Sequence, residues 1–126
     1  MSNEDANTFS PLTTREALID IAALDELTLG DTEFQQEILE TYVEDMPTCL
    51  TKLKQAFGDR NWNDFVSHAH QMKGASRTAC VKSIPDIAER LEACGSDLEE
   101  NEIRGLIEKL EILIDRVRDC ARHWDP

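Results

Sequence analysis

Residues 69–77 read Ala69-His70-Gln71-Met72-Lys73-Gly74-Ala75-Ser76-Arg77. They belong to a longer pattern in which Trp62, Phe65, Val66, Ala69, Met72, Ser76 and Cys80 recur every three or four positions. That period predicts an amphipathic helix over about residues 62–79 with one buried stripe. At 100° per residue the stripe centres near Ala69 and Ser76, and His70 lies roughly 110° from it, on the exposed flank. Asn63, Ser67, Gly74 and Arg77 share that side, all within about 60° of His70. Lys73 lies between this face and the stripe, so its stem can pack while its ammonium reaches outward. His68 falls roughly 160° away around the helix, so the two histidines cannot chelate one metal.

Gly74 is the odd residue. A glycine inside a helix costs about 1 kcal/mol relative to alanine. One turn below an exposed histidine, it implies that something approaches the backbone there. The neighbouring cations imply that the approaching species, or a group placed on the histidine, is anionic.

Working outward, the patterning is helical throughout. A short helix is expected over Arg15–Leu27, with Thr14 as its cap, followed by a turn at Leu29-Gly30-Asp31. Asp31 or Thr32 can cap the next helix. That helix should cover about 32–57, burying Ile38, Tyr42, Met46, Cys49, Leu50, Leu53 and Phe57. Pro47 inside it should kink it near Val43 or break it there. Gly58-Asp59-Arg60 ends the element, and Asn61 caps the histidine-bearing helix. A further helix begins near Ser83, with Pro85 in its first turn, and stops around Gly95. The last, about Leu98–Ala121, has the cleanest stripe, with Gly105 and the off-stripe Ile112 as irregularities. No alternating pattern is long enough for a strand. The fold class is therefore all-α: an antiparallel up-down-up-down four-helix bundle with a short additional N-terminal helix. Residues 1–13 are polar and aperiodic and read as a flexible leader or linker; residues 14–122 form the bundle.

Composition narrows the function classes. The chain has 126 residues, enough for one core, with only five glycines and four prolines to spend on turns. Acidic residues outnumber basic ones 26 to 13, for a net charge of −13. Nucleic acid and direct membrane contact are disfavoured, because both need a basic face. Cys49, Cys80, Cys94 and Cys120 form no CxxC pair and no zinc-like spacing with histidine. They read as buried free thiols in a reducing compartment. With no signal peptide and no apolar run of membrane-spanning length, a cytoplasmic location is expected. A monomer is the default. An exposed imidazole is a good nucleophile near pH 7 and can accept a phosphoryl group; Lys73 and Arg77 would offset the added charge.

The run Ala69-His70-x-Met72-Lys73-Gly74-Ala75-Ser76 resembles the signature of histidine-containing phosphotransfer (HPt) domains, AHxLKGxS or AHxMKGxS. Residues Asp20–Leu27 resemble the family's N-terminal helix, Phe34–Leu53 its long second helix, and Ile87–Glu92 the helix after the motif, which commonly carries a Leu-Glu pair. The resemblance implies a phosphorelay intermediate without kinase activity. It would take a phosphoryl group from the phospho-aspartate of one receiver domain and pass it to the aspartate of another. By resemblance His70 is the phosphoacceptor, Lys73 steadies the phosphoryl oxygens and Gly74 admits the receiver. No cofactor is implied, since the Mg²⁺ needed for transfer belongs to the receiver. Docking would use the His70 helix and its antiparallel neighbour, with Phe34, Glu37, Ile38, Thr41, Asn63, Ser67 and Arg77 as contacts. The chain could stand alone or form the C-terminal domain of a membrane-bound hybrid sensor kinase. One position departs: the family usually has glycine ten residues after the histidine, where this chain has Cys80.

Three other readings compete. A binding module could dock receivers or other proteins without being phosphorylated. A hydrolase with His70 as general base lacks an evident nucleophile, metal set or cleft. A purely structural bundle leaves Gly74 unexplained.

Overall fold

A computed structural model describes residues 15–94 and 99–124. The expected leader lies outside these residues, as do Thr14 and Leu98. The described chain forms α1 (Arg15–Leu18), α2 (Ile21–Thr28), α3 (Thr32–Gly58), α4 (Trp62–Thr78), α5 (Ile84–Cys94) and α6 (Glu100–Arg122). α4 packs between α3 and α5, and α6 closes the ring against both of them. This is the expected four-helix bundle. Phe65, Ala69 and Met72 of α4 are fully buried with Leu39 and Leu53 of α3, Ala88 and Leu91 of α5, and Leu110 and Val117 of α6. Burial of these stripes is the main stabilising term.

Local chemistry sets each boundary. Asp31 Oδ1 accepts hydrogen bonds from Glu33 N at 3.0 Å and Phe34 N at 3.2 Å, so Asp31 rather than Thr32 caps α3. Asn61 Oδ1 accepts from Asp64 N at 3.1 Å and caps α4. Pro47 does not break α3, which runs unbroken over 27 residues, about 40 Å. The proline removes one backbone donor, a local loss set against packing along both sides of the helix.

The N-terminal segment departs from the expected single helix Arg15–Leu27. It splits into α1 and α2 at Ile19-Asp20. Asp20 caps α2 by accepting from Ala23 N at 3.1 Å. The backbone freed by the break pairs with the α4–α5 turn: Asp20 N donates to Cys80 O at 2.9 Å and Lys82 N to Leu18 O at 2.7 Å. This isolated antiparallel bridge, Ile19 with Val81, satisfies donors that a continuous helix would have used internally.

The α4–α5 turn resolves the Cys80 departure. Val81 N donates to Ser76 O at 2.8 Å and Cys80 N to Arg77 O at 3.1 Å. This is the doubly bonded left-handed helix stop that glycine usually supplies. Cys80 takes it with φ +61°, so the turn is retained and the side chain carries the strain.

At the α2 end of the bundle, a buried polar clasp ties three segments. Gln35, 1% exposed, donates to Asp25 Oδ1 at 2.6 Å and Thr28 Oγ1 at 3.0 Å. It accepts from Trp124 Nε1 at 2.9 Å. Every polar atom of the amide is used, as burial demands.

Two predictions follow from the strain and the clasp. Cys80→Gly should melt at or above the wild-type temperature, whereas Cys80→Val, β-branched at positive φ, should lose about 1–2 kcal/mol. Equal melting of the two variants would remove the strain argument. Gln35→Ala should lower the urea-derived stability by about 1–3 kcal/mol, because it strands the Trp124 donor.

Candidate functional site

Burial of Phe65, Ala69, Met72 and Ser76 fixes the rotation of α4, and His70 emerges on the far side with its side chain 66% exposed. Its ring is nevertheless held. Nδ1 lies 2.7 Å from Glu92 Oε2 on α5. The other oxygen of that carboxylate, Oε1, is shut off from water and sits 2.6 Å from Lys73 Nζ. This second contact is an ion pair rather than an aligned hydrogen bond. Lys73 is thus turned inward, its side chain only 16% exposed, whereas sequence patterning expected its ammonium to reach outward. One carboxylate from α5 engages both motif side chains of α4.

The electrostatics assign the proton. Lys73 first, and His70 second, hold the Glu92 carboxyl below its ordinary value of 4.5, so at neutral pH it is an anion. An anionic carboxylate can only accept; Nδ1 must therefore be the protonated nitrogen of a neutral ring. The lone pair is then on Nε2, which has no partner among the described residues.

Gly74, one turn from His70, is bare. A Cβ built there would meet nothing within 4 Å. The glycine is therefore not demanded by packing within the chain. Beyond it, toward α3, opens a groove of about 460 Å³ lined by Phe34, Glu37, Ile38, Thr41, Tyr42 and Asp45 of α3 and by small residues of α4 such as Ala75 and Thr78. Tyr42 Oη and Ser76 Oγ share a buried hydrogen bond of 2.6 Å, and Cys49 Sγ donates to His68 O at 3.5 Å. Together these contacts set the α3–α4 register. Ser76, placed by its period in an apolar stripe, is the polar half of this core pair. From His70 to Ala75 the rise along α4 is about 7.5 Å, so a body resting on Gly74 spans both histidine and groove.

The structure brings some sequence-predicted residues together and separates others. His70 and Lys73 meet through Glu92. Phe34, Glu37, Ile38 and Thr41 share the groove, and Phe34 is 45% exposed. Arg77 turns the other way, to Glu89 on α5 at 3.1 Å; that exposed pair contributes little. Asn63 and Ser67 are exposed near the N-terminal end of α4, outside the groove. Glu92 had no role in the sequence reading beyond its place in a Leu-Glu pair. Its position beside the buried Leu91 was the available signal, but using it required the α4–α5 register. Cys49, Cys80 and Cys120 are free and half-buried rather than fully buried. Burial pushes the Cys80 thiol up, with Asp20 adding to it, so it is a poor nucleophile. Among the described residues, no cluster of three metal-ligating side chains forms, and no helix is long and apolar enough to cross a membrane.

The family model described as Hpt domain matches residues 37–120. The chain belongs to the Hpt domain family. It is also similar to the phosphorelay intermediate protein rdeA of Dictyostelium discoideum, 27% identical over 100 residues. That match covers 76% of this chain, and the chain spans 39% of the relative's length. No solved structure matches the chain.

The lowered Glu92 carboxyl has a pH consequence. Its stabilising contribution is complete above the ordinary value of 4.5 and is lost as pH falls through the lowered folded value. Urea midpoints of wild type and Glu92→Gln should therefore differ most at about pH 7 and converge toward about pH 3. A gap independent of pH would mean that Glu92 is not an ionised partner. Nitrogen-15 NMR should place the neutral-ring proton of His70 on Nδ1, and Glu92→Ala should release it to both nitrogens.

Proposed function

We propose that this chain is a phosphorelay intermediate in which His70 Nε2 takes a phosphoryl group from a receiver-domain phospho-aspartate and passes it to another receiver. The observation that carries this reading is the exposed, unpartnered Nε2 whose opposite nitrogen is held by Glu92, beside a bare Gly74. The family and the printed name of the relative support it.

In the forward step the Nε2 lone pair forms a bond to phosphorus as the bond from phosphorus to the aspartyl oxygen breaks. The electron pair leaves with the aspartate. The Nδ1 proton stays on the ring, where Glu92 stabilises the positive charge that builds up on it. Glu92 alone would repel the phosphoryl oxygens; Lys73, one turn from His70, neutralises it and has donors left for the phosphoryl group. Reversal onto a second aspartate uses the same contacts. Mg²⁺ and most of the transition-state positioning come from the receiver. The groove residues Phe34, Glu37, Ile38 and Thr41 hold that partner, with Asn63, Ser67 and Arg77 at its margins. The reading carries with it a monomer acting in the cytoplasm, alone or as the C-terminal domain of a hybrid sensor kinase. A module that only docked receivers would have no use for a clasp on the His70 ring.

The test is incubation with phosphorylated receiver domains, followed by mass spectrometry at neutral to alkaline pH. An acid-labile phosphoryl adduct should form on His70 and be absent from His70→Gln, which should still bind. Lys73→Ala should slow transfer about 100-fold. Gly74→Gln should block transfer by bulk with little loss of fold. Receiver binding without any modification of His70 would leave the docking module as the function.

A further inference from the structure

The acidity of this chain is not spread over its surface. Residues 16–51 contain ten carboxylates and no lysine, arginine or histidine. Residues 52–126 set fourteen carboxylates against twelve of the thirteen lysines and arginines, the exception being Arg15. The ion pairs follow the same division: those described join residues between Lys54 and Arg118, on the end of α3, the α3–α4 turn, α4, α5 and α6.

Some carboxylates of the acidic stretch have structural duties. Asp20 and Asp31 cap helices, and Asp25 joins the Gln35 clasp. Glu33, Glu37, Glu40, Glu44 and Asp45 do not. All five are exposed on α3, and none forms an ion pair among the described residues. Glu33 with Glu37, and Glu40 with Glu44, are like charges at i,i+4, an arrangement that destabilises a helix. The helix dipole favours Glu33 in the first turn, but among the described residues no lysine or arginine pairs with any of the five. Solubility alone would be served as well by carboxylates placed anywhere.

Two of the five share a location. Glu37 and Asp45 form the lip of the groove beside Gly74, and its floor is apolar: Phe34, Ile38, Met46 and Ala75. An apolar groove with an unrelieved anionic lip fits a partner that presents apolar side chains flanked by lysine or arginine. Cations arriving there would meet carboxylates that have no competing ion-pair partner among the described residues. On the opposite flank of His70 the carboxylates are already neutralised, Glu92 by Lys73 and Glu89 by Arg77.

We propose that this acidic lip selects the receiver by charge, admitting those whose docking face carries apolar side chains ringed by basic residues. This rests on the phosphorelay reading and adds which receivers qualify. Charge of this kind acts mainly on encounter rate and on rejection of wrong partners, and salt screens it. Receivers with an acidic docking face are excluded by repulsion.

The experiment titrates a panel of purified, unphosphorylated receiver domains into the full chain, with affinity read by calorimetry at about 50 mM and about 500 mM salt. The tightest binder should carry a net positive docking face and lose affinity in high salt. The double variant Glu37→Lys/Asp45→Lys should bind it at least about tenfold more weakly at low salt, with the gap closing at high salt. A control, Glu108→Lys/Asp119→Lys on α6, makes the same change in net charge away from the groove and should bind as wild type does. Thermal melts establish that both variants fold. Equal weakening by both doubles, binding that ignores salt, or a preference for acidic receivers would overturn the proposal. Charge-selective binding without His70 phosphorylation would overturn the relay reading and keep the selection. Phosphorylation with charge-blind binding would do the reverse, and a panel with no binder would overturn both.

Discussion

The rotation of α4 about its own axis is the constraint on which the rest depends. Phe65, Ala69, Met72 and Ser76 must face inward because α3 and α5 close over that side of the helix. Once they do, helical geometry leaves His70 and Gly74 on the solvent face, turns Lys73 toward α5 and turns Ala75 toward α3. The buried Tyr42–Ser76 hydrogen bond strengthens this choice, since any other rotation would strand a hydroxyl in the core. A few buried contacts thus set an exposed imidazole, a cation and a bare glycine in one arrangement.

Around that arrangement the two neighbouring helices have divided their work. α5 supplies a carboxylate. Its Glu92 carboxylate holds the imidazole in one tautomer and keeps the nearby lysine ordered, so the site is organised before any partner arrives. That matters because a long exposed lysine otherwise loses considerable side-chain entropy when it is recruited. α3 supplies an apolar groove whose lip carries Glu37 and Asp45, neither in an ion pair among the described residues. The histidine lies between the carboxylate of one helix and the groove of the other.

The turn after α4 shows how tightly the backbone is specified. Cys80 occupies a left-handed conformation that favours glycine, yet the turn keeps its full set of hydrogen bonds. The N-terminal segment reinforces it through the Ile19–Val81 bridge. The strain of one residue is tolerated because the bridge, the helix stop and the buried Val81 all require the same geometry.

Periodicity and end signals in the sequence alone determined the four long helices, their antiparallel order, the cap at Asn61, and the exposure of His70, and narrowed the cap of α3 to Asp31 or Thr32. Each is a local property, written in apolar spacing and in residues that bond to their own backbone. The motif was equally local, and so was the oddity of Gly74. Only the tertiary structure decided the rest, because it depends on partners distant in the chain. The break at Ile19-Asp20 exists because the α4–α5 turn offers its backbone donors and acceptors. Pro47 is carried through α3 because packing on both sides outweighs one missing bond. Lys73 faces inward, and the proton of a neutral His70 ring sits on Nδ1, because Glu92 arrives from 22 positions away. No spacing rule within one helix contains that carboxylate; it took the register between two helices to place it.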